Sequence, residues 1–402
     1  MIIEPKIRGF ICTTAHPAGC EKNILDNIDY LDKNQKINIP DIKTALVIGA
    51  STGYGLASAL TASFSLGAGV IAVALEKNAK NNRTATAGMY NLAAYKKQAD
   101  ARGLYVKPVI ADAFSNKAKE TAGEIIKNEF GAVDLLVYSI AAPARIDPVS
   151  GTRYASVLKP IGKEYKSKGI DLSDYNNYKI NEVSVPPASE KETEETIKVM
   201  GGEDLGLWTD YLQKNNLMRE SAVIIAYSYT GPALTHDIYL NGTVGAAKNH
   251  LKQTSAELNK LYKVKSYTAA AKAIVTQASS AIPVMPLYIS ILFKVMKEKN
   301  LHEGCAEQIY RLFKKLGSDQ NLTDENGFIR TDDLEMREDV QREVAERWAK
   351  TNDGNLGELA DLDGYRADFI KLFGFGLEGI DYSAESSPEV DEAALGFINL
   401  TD

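Results

Sequence analysis

Five short runs rich in Val, Ile, Leu and Ala govern what this chain can fold into: Thr44–Gly49, Gly69–Leu75, Leu104–Ile110, Val133–Ser139 and Ala222–Tyr229. None shows a clean polar/apolar alternation, so each reads as a strand covered on both faces, the mark of a parallel sheet. Stretches of helical character, Leu56–Leu66 and Ala118–Glu129, lie between the early runs. Strands alternating with helices predict right-handed βαβ units. The expected fold class is α/β, a Rossmann-type doubly wound parallel sheet with large helical insertions and a C-terminal helical cover.

Composition narrows the function classes. A net charge of −7 argues against nucleic acid, which is held mainly by Lys and Arg on phosphates. Three cysteines, Cys12, Cys20 and Cys305, make no disulfide framework, and no CxxC or HxxxH pair suggests a metal site. The start, MIIEPKIRGF, lacks a secretory pattern. The longest apolar stretch, Ala281–Phe293, is broken by Pro283 and Pro286 and is too short for a bilayer. A metal-free protein of the reducing cytoplasm, without an integral membrane segment, is expected. The length suits a self-covering monomer, with a dimer as the other option.

The first strand runs into Gly49-Ala50-Ser51-Thr52-Gly53-Tyr54-Gly55. Glycines at 49, 53 and 55 allow a tight turn and close approach of the backbone to a pyrophosphate. The helix that follows offers free N–H groups and a partial positive charge. Ser51 and Tyr54 lie within this turn. Glu76 comes 21 residues after Gly55, behind the second strand. An acid there accepts hydrogen bonds from ribose hydroxyls and repels a 2′-phosphate, so NADH is the expected cofactor over NADPH. Asp112 and Ala113 follow the third strand, where a carboxylate and an amide could hold adenine. Ser139 and Ala141 follow the fourth, where small residues let the nicotinamide ribose lie close. Ordinary loop chemistry is the competing reading for these four.

Residues 1–402 are thus read as one elaborated domain. It comprises an N-terminal extension (1–40), a dinucleotide-binding half (41–142), an insertion (143–220), a catalytic and substrate-binding half (221–316) and an acidic, mostly helical tail (317–402).

Beyond the fifth strand lie Tyr239 and, nine residues on, Lys248. A phenol whose acidity is tuned by an ammonium group serves as a proton donor beside nicotinamide. At about 100° per residue, nine positions put the two on opposite faces of one straight helix. Tyr239 should therefore precede the helix, with Thr243 as its N-cap and Lys248 in its early turns. Tyr229, at the strand end, is a candidate thioester contact. Met285 and Leu287, in the Pro-punctuated stretch, could line an acyl pocket or pack in the core. The basic segment Lys159–Lys168 could meet the phosphates of coenzyme A or be a solvated loop. His16 and Cys20 are assigned to the fold.

These residues resemble the trans-2-enoyl-CoA reductases and FabV-type enoyl-acyl-carrier-protein reductases over nearly the whole chain. The matching segments include His16-Pro17-x-Gly19-Cys20, the Gly49–Gly55 turn, Asp112-Ala113-Phe114-Ser115, Tyr138-Ser139-x-Ala141-x-Pro143, Val199-Met200-Gly201-Gly202-Glu203-Asp204, Tyr239-x8-Lys248, Val275-Thr276-x-Ala278-Ser279 and Gly374-Phe375. Thr235-His236-Asp237 and Ala270-Ala271 depart from the family pattern. The resemblance implies that Tyr239 and Lys248 are catalytic, that Glu76 selects NADH and that Thr276 lies beside the nicotinamide amide. It implies an NADH-dependent reduction of the 2,3-double bond of enoyl-CoA or enoyl-acyl-carrier-protein, in fatty acid synthesis or in fermentative butyryl-CoA formation. The alternatives are a ketoreductase acting on 3-ketoacyl thioesters and a non-catalytic NADH sensor.

Overall fold

The computed structural model describes residues 1–9, 11–81, 83–172, 178–318 and 322–401. An eight-stranded, all-parallel sheet organises them. Its strands are β1 (Thr44–Ile48), β2 (Gly69–Ala74), β3 (Val106–Ile110), β4 (Val133–Tyr138), β5 (Met218–Ser228), β6 (Lys265–Ala270), β7 (Phe328–Arg330) and β8 (Ile398–Asn399). Across the sheet the order is β7-β6-β5-β4-β1-β2-β3-β8. The direction of winding reverses between β1 and β4, which opens a crevice at the carboxyl ends of those two strands.

Side-chain alternation along the strands divides the molecule into two cores. Ala45, Val47, Val70, Ala72 and Leu135 face one side, with helices α1 (Pro17–Lys33), α2 (Gly53–Phe64) and α3 (Ala87–Ala101). Leu46, Ile48, Ile71, Val73 and Leu136 face the other, with α4 (Asn116–Glu129) and α6 (Glu203–Lys214), the helix after α5 (Glu190–Met200), and with α7 (Thr243–Leu261). Full burial of such side chains stabilises by roughly 1.5–3 kcal/mol each, which is why these strands carry continuous apolar runs. Two further helices, α8 (Met285–Glu298) and α9 (Cys305–Leu316), complete the first face.

Two segments differ from expectation. The first half of the insertion is not helical. It forms two antiparallel hairpins, Ala144–Ile146 with Arg153–Ala155 and Tyr165–Asp171 with Lys179–Val185, before α5 and α6. The larger hairpin buries Tyr165, Ile170 and Val183, and most of its other positions are polar or charged, so composition hides the strands. The tail is not mostly helical either. It holds α10 (Glu338–Lys350) and α11 (Leu362–Lys371), a short turn of helix, and a long irregular stretch. It also supplies β7 and β8, the strands at the two edges of the sheet. No helix among the described residues is long and apolar enough to cross a membrane.

Candidate active site

The glycine turn lies at the crevice. Gly49 and Gly53 take φ of +84° and +54°, a region that favours glycine. A Cβ on Gly49 would meet the Ser139 carbonyl oxygen at 2.0 Å, and one on Gly55 would meet the Gly49 oxygen at 1.9 Å. The turn is therefore pressed onto the end of β4, where Ser139 donates its N–H to Ile48. Thr52, the N-cap of α2, gives its helix no side-chain hydrogen bond. Donors at that terminus are left for an anion.

Glu76 follows β2. It accepts from Ser51 Oγ at 2.5 Å and from the Thr86 hydroxyl. Burial pushes its carboxyl up, and the two hydroxyls pull it back. Gly88 makes room for it: a Cβ there would lie 2.1 Å from Glu76 Oε1. An uncapped helix end, a close-packed glycine turn and a held carboxylate together fit the pyrophosphate and ribose of a dinucleotide.

The other predicted cofactor residues are spread around this crevice. Asp112 lies two residues past β3, and its Oδ1 accepts from the Phe114 N–H at 3.0 Å, a turn within its own loop. Ala113 is buried, and its carbonyl holds Trp208 Nε1 at 3.0 Å and Lys119 Nζ at 3.2 Å. Ala141 is exposed past β4. Thr276 caps a short helical turn, 277–280, with its hydroxyl bonded to the Ser279 N–H at 3.0 Å. Its methyl faces Gly53: a Cβ there would be 4.0 Å away.

Tyr239 sits in a non-helical turn ahead of α7, and Lys248 is in the second turn of that helix. Geometry thus resolves the nine-residue spacing as anticipated, except that Gly242 is the N-cap. Thr243 is the first helical residue, and its hydroxyl donates to the Val157 carbonyl at 2.5 Å. Lys248 Nζ donates to the Tyr227 carbonyl at 3.0 Å. Burial lowers its ammonium to about 8. Burial also pushes the Tyr239 phenol up, and nothing charged offsets this. Tyr239 is therefore a neutral hydrogen-bond donor, not a phenolate. Among the described residues its hydroxyl has no hydrogen-bond partner.

An aromatic wall connects the parts. Tyr54, from the glycine turn, stacks on Tyr227 with ring centroids 5.4 Å apart. Tyr227 is fixed by Ser58 Oγ at 2.6 Å, and Tyr54 donates to the Lys272 carbonyl at 2.6 Å. Tyr229 meets Tyr239 edge-on at 5.0 Å. The Tyr229 hydroxyl points away from a thioester role, since it donates to Glu335 Oε1 at 3.0 Å.

Met285 and Leu287 are buried in the main core. That placement favours packing over a pocket wall. The lysines of the 159–168 segment have partners: Lys159 pairs with Glu192 at 2.6 Å, Lys163 with Asp237 at 3.0 Å, Lys166 with Glu164 at 3.2 Å, and Lys168 donates to the Thr351 carbonyl at 3.0 Å. His16 and Cys20 serve the fold. His16 Nδ1 accepts from the Gly19 N–H at the start of α1, and Cys20 is buried. Sequence reasoning missed Glu335 and Tyr288, and gave no role to Lys272 or to Tyr227, which lies within the family-like run Ala226-Tyr227-Ser228-Tyr229. No motif marks Glu335, which lies 96 positions beyond Tyr239.

Comparison with known proteins agrees with this geometry. Residues 2–81 match the NAD(P)H binding domain of trans-2-enoyl-CoA reductase, and residues 83–316 match the trans-2-enoyl-CoA reductase catalytic region. Residues 323–385 match an enoyl reductase FAD binding domain. In that last segment the buried Asp332 and Glu335 already accept protein donors. The chain is 47% identical to the trans-2-enoyl-CoA reductase [NADH] of Ruminiclostridium cellulolyticum, over 98% of this chain and 100% of that one. It is 49% identical to the enoyl-[acyl-carrier-protein] reductase [NADH] of Flavobacterium johnsoniae, over 97% and 99%. The crystal structure of Treponema denticola trans-2-enoyl-CoA reductase in complex with NAD matches with a TM-score of 0.91 and 42% identity, over 97% of this chain and 99% of that one.

Proposed function

The chain belongs to the trans-2-enoyl-CoA reductase family, and from that premise we propose that it reduces the 2,3-double bond of trans-2-enoyl thioesters with NADH. The thioester is carried on coenzyme A or an acyl carrier protein. The observation that carries this reading is the uncommitted Tyr239 hydroxyl, on the aromatic wall that begins in the glycine turn.

Bound NADH supplies the hydride for the β-carbon. The chain's residues handle the charge that follows. As hydride arrives, negative charge grows on the thioester oxygen. Tyr239 donates a hydrogen bond to that oxygen, a stabilisation of roughly 3–4 kcal/mol when the donor is preorganised. A phenol with raised pKa keeps its proton and so remains a donor. Lys248 places positive charge behind the wall and is the candidate to hold the nicotinamide ribose. The turn at Gly49, Ser51, Gly53, Tyr54 and Gly55 would hold pyrophosphate, Glu76 the adenosine ribose, Asp112 and Ala113 the adenine, Ser139 and Ala141 the nicotinamide ribose, and Thr276 the amide. The α-carbon is protonated directly or through solvent.

A monomer in the cytoplasm completes the reading. It is supported by the shortness of the tail strands that form both sheet edges, which leaves little to pair with, and by three free thiols, which suit a reducing compartment. The test follows NADH oxidation with crotonyl-CoA, longer enoyl-CoAs, an enoyl-acyl-carrier-protein and acetoacetyl-CoA in parallel. Turnover of the enoyl substrates alone is expected. Turnover of acetoacetyl-CoA instead would assign the ketoreductase reaction.

A further inference from the structure

Tyr239 must present its hydroxyl at one angle, yet no hydrogen bond to the described residues holds it there. Its ring is set by packing, and the most directional contact is the edge of Tyr229, with ring planes 85° apart. Tyr229 has little freedom of its own. Gly231 lies close to its ring, so that a Cβ on that glycine would come within 2.8 Å of Tyr229 Cε1. Its hydroxyl is tied to Glu335.

Glu335 is fully buried. Its Oε1 accepts from Tyr229 at 3.0 Å and Tyr288 at 2.6 Å, and its Oε2 accepts from the Ala273 N–H at 2.7 Å. A carboxylate meets three donors at two oxygens without conflict. A protonated carboxyl, or an amide, would turn a donor against at least one of them. Burial pushes the carboxyl up, while the Tyr288 hydroxyl and the nearby Lys272 ammonium pull it down. The loop bearing it is pinned as well. Thr331 and Asp332 both donate backbone N–H groups to Ala270, and Thr230 Oγ1 donates to Asp332 at 3.1 Å.

We propose that Glu335 is a positioning residue for the reduction: its carboxylate fixes the Tyr229 hydroxyl, and the Tyr229 ring in turn sets the orientation of Tyr239. The inference rests on the enoyl-reductase reading. It adds that a residue of the C-terminal tail, contacting neither NADH nor thioester, governs the rate of the chemical step. Misplacing a reacting group by about 1 Å can cost on the order of a hundredfold in rate.

The experiment measures kcat with crotonyl-CoA, and the NADH Kd by fluorescence, for the full-length wild type, Glu335→Gln, Tyr229→Phe and Tyr239→Phe, and for Glu335→Gln combined with each of the other two. Glu335→Gln and Tyr229→Phe are each expected to lower kcat about tenfold to a hundredfold, with NADH Kd within twofold of wild type. Glu335→Gln should then cost nothing further in either the Tyr229→Phe or the Tyr239→Phe background, because the path it acts through is already cut. A kcat for Glu335→Gln within twofold of wild type overturns the proposal. So does a loss that persists in full in the Tyr239→Phe background, or a matching loss of NADH affinity. If Glu335→Gln does not fold, Tyr288→Phe carries the same test. It is expected to lower kcat severalfold in the wild type and not at all in Tyr239→Phe, and any other pattern overturns the proposal. A wild type inert toward every enoyl thioester would instead remove the functional reading itself.

Discussion

Burial lowers the Lys248 ammonium to about 8, because a charge is costly where water is scarce. Below that pH it is charged, and above it the charge is lost. If the charge serves the nucleotide, kcat/KM should fall with an alkaline limb near pH 8. Lys248→Arg, whose cation persists, should flatten that limb even if its maximum is lower. An unchanged limb in a pH–rate profile would detach Lys248 from it. Glu76 offers a second test at this scale. Gly88→Ala pushes a methyl group to within 2.1 Å of its Oε1. We expect the KM for NADH to rise roughly tenfold, equivalent to about 1.4 kcal/mol, with kcat little changed. Glu76→Gln should raise the NADPH-to-NADH ratio of kcat/KM, since the repulsion of a 2′-phosphate is removed. Steady-state kinetics with both nucleotides reads each outcome.

Among the elements, α1 is coupled to the tail by a backbone contact. A Cβ on Gly19 would lie 1.6 Å from the Gly374 carbonyl oxygen, which no rotamer change relieves. Gly19→Ala should destabilise by roughly 1–3 kcal/mol or more, read as a lower urea midpoint. The link between α8 and α9 carries His302, edge-on to Phe293 at 4.4 Å. Burial, with Lys272 and Lys297 near it, lowers this imidazole to about 3. The folded state thus holds it neutral while the unfolded chain protonates below pH 6.5. Stability should fall with pH below that point, by up to about 1.4 kcal/mol per unit from this group, and His302→Gln should flatten the slope. Legibility in the sequence follows the same physics. Strands buried on both faces, such as Gly69–Ala74, declare themselves as unbroken apolar runs. The Tyr165–Asp171 hairpin strand is covered on one side and reads as a polar loop. The glycine turn and the break between Tyr239 and the helix of Lys248 were readable, because positive φ and the 100° helical step restrict what fits there. Glu335 was not, because its role comes from three donors that the fold alone brings together.

At the scale of the whole molecule, the tail crosses from one rim of the sheet to the other. Strand β7 pairs with β6, and β8 pairs with β3 through Ile398↔Val109 and Asn399↔Ile110. Between β8 and the end of β5 lie β3, β2, β1 and β4, a separation of roughly 24 Å at ordinary strand spacing. Removing the residues after Leu395 should therefore lower the thermal midpoint while leaving kcat within about twofold. Differential scanning calorimetry and the NADH assay on the same preparation check both halves. The path of the tail also bears on how the protein is made. A growing chain that has not passed residue 327 has neither rim strand nor the carboxylate that orders the phenol. Both rims of its sheet are then open to strangers. A chain stalled there would lack the ordered phenol and be prone to aggregate.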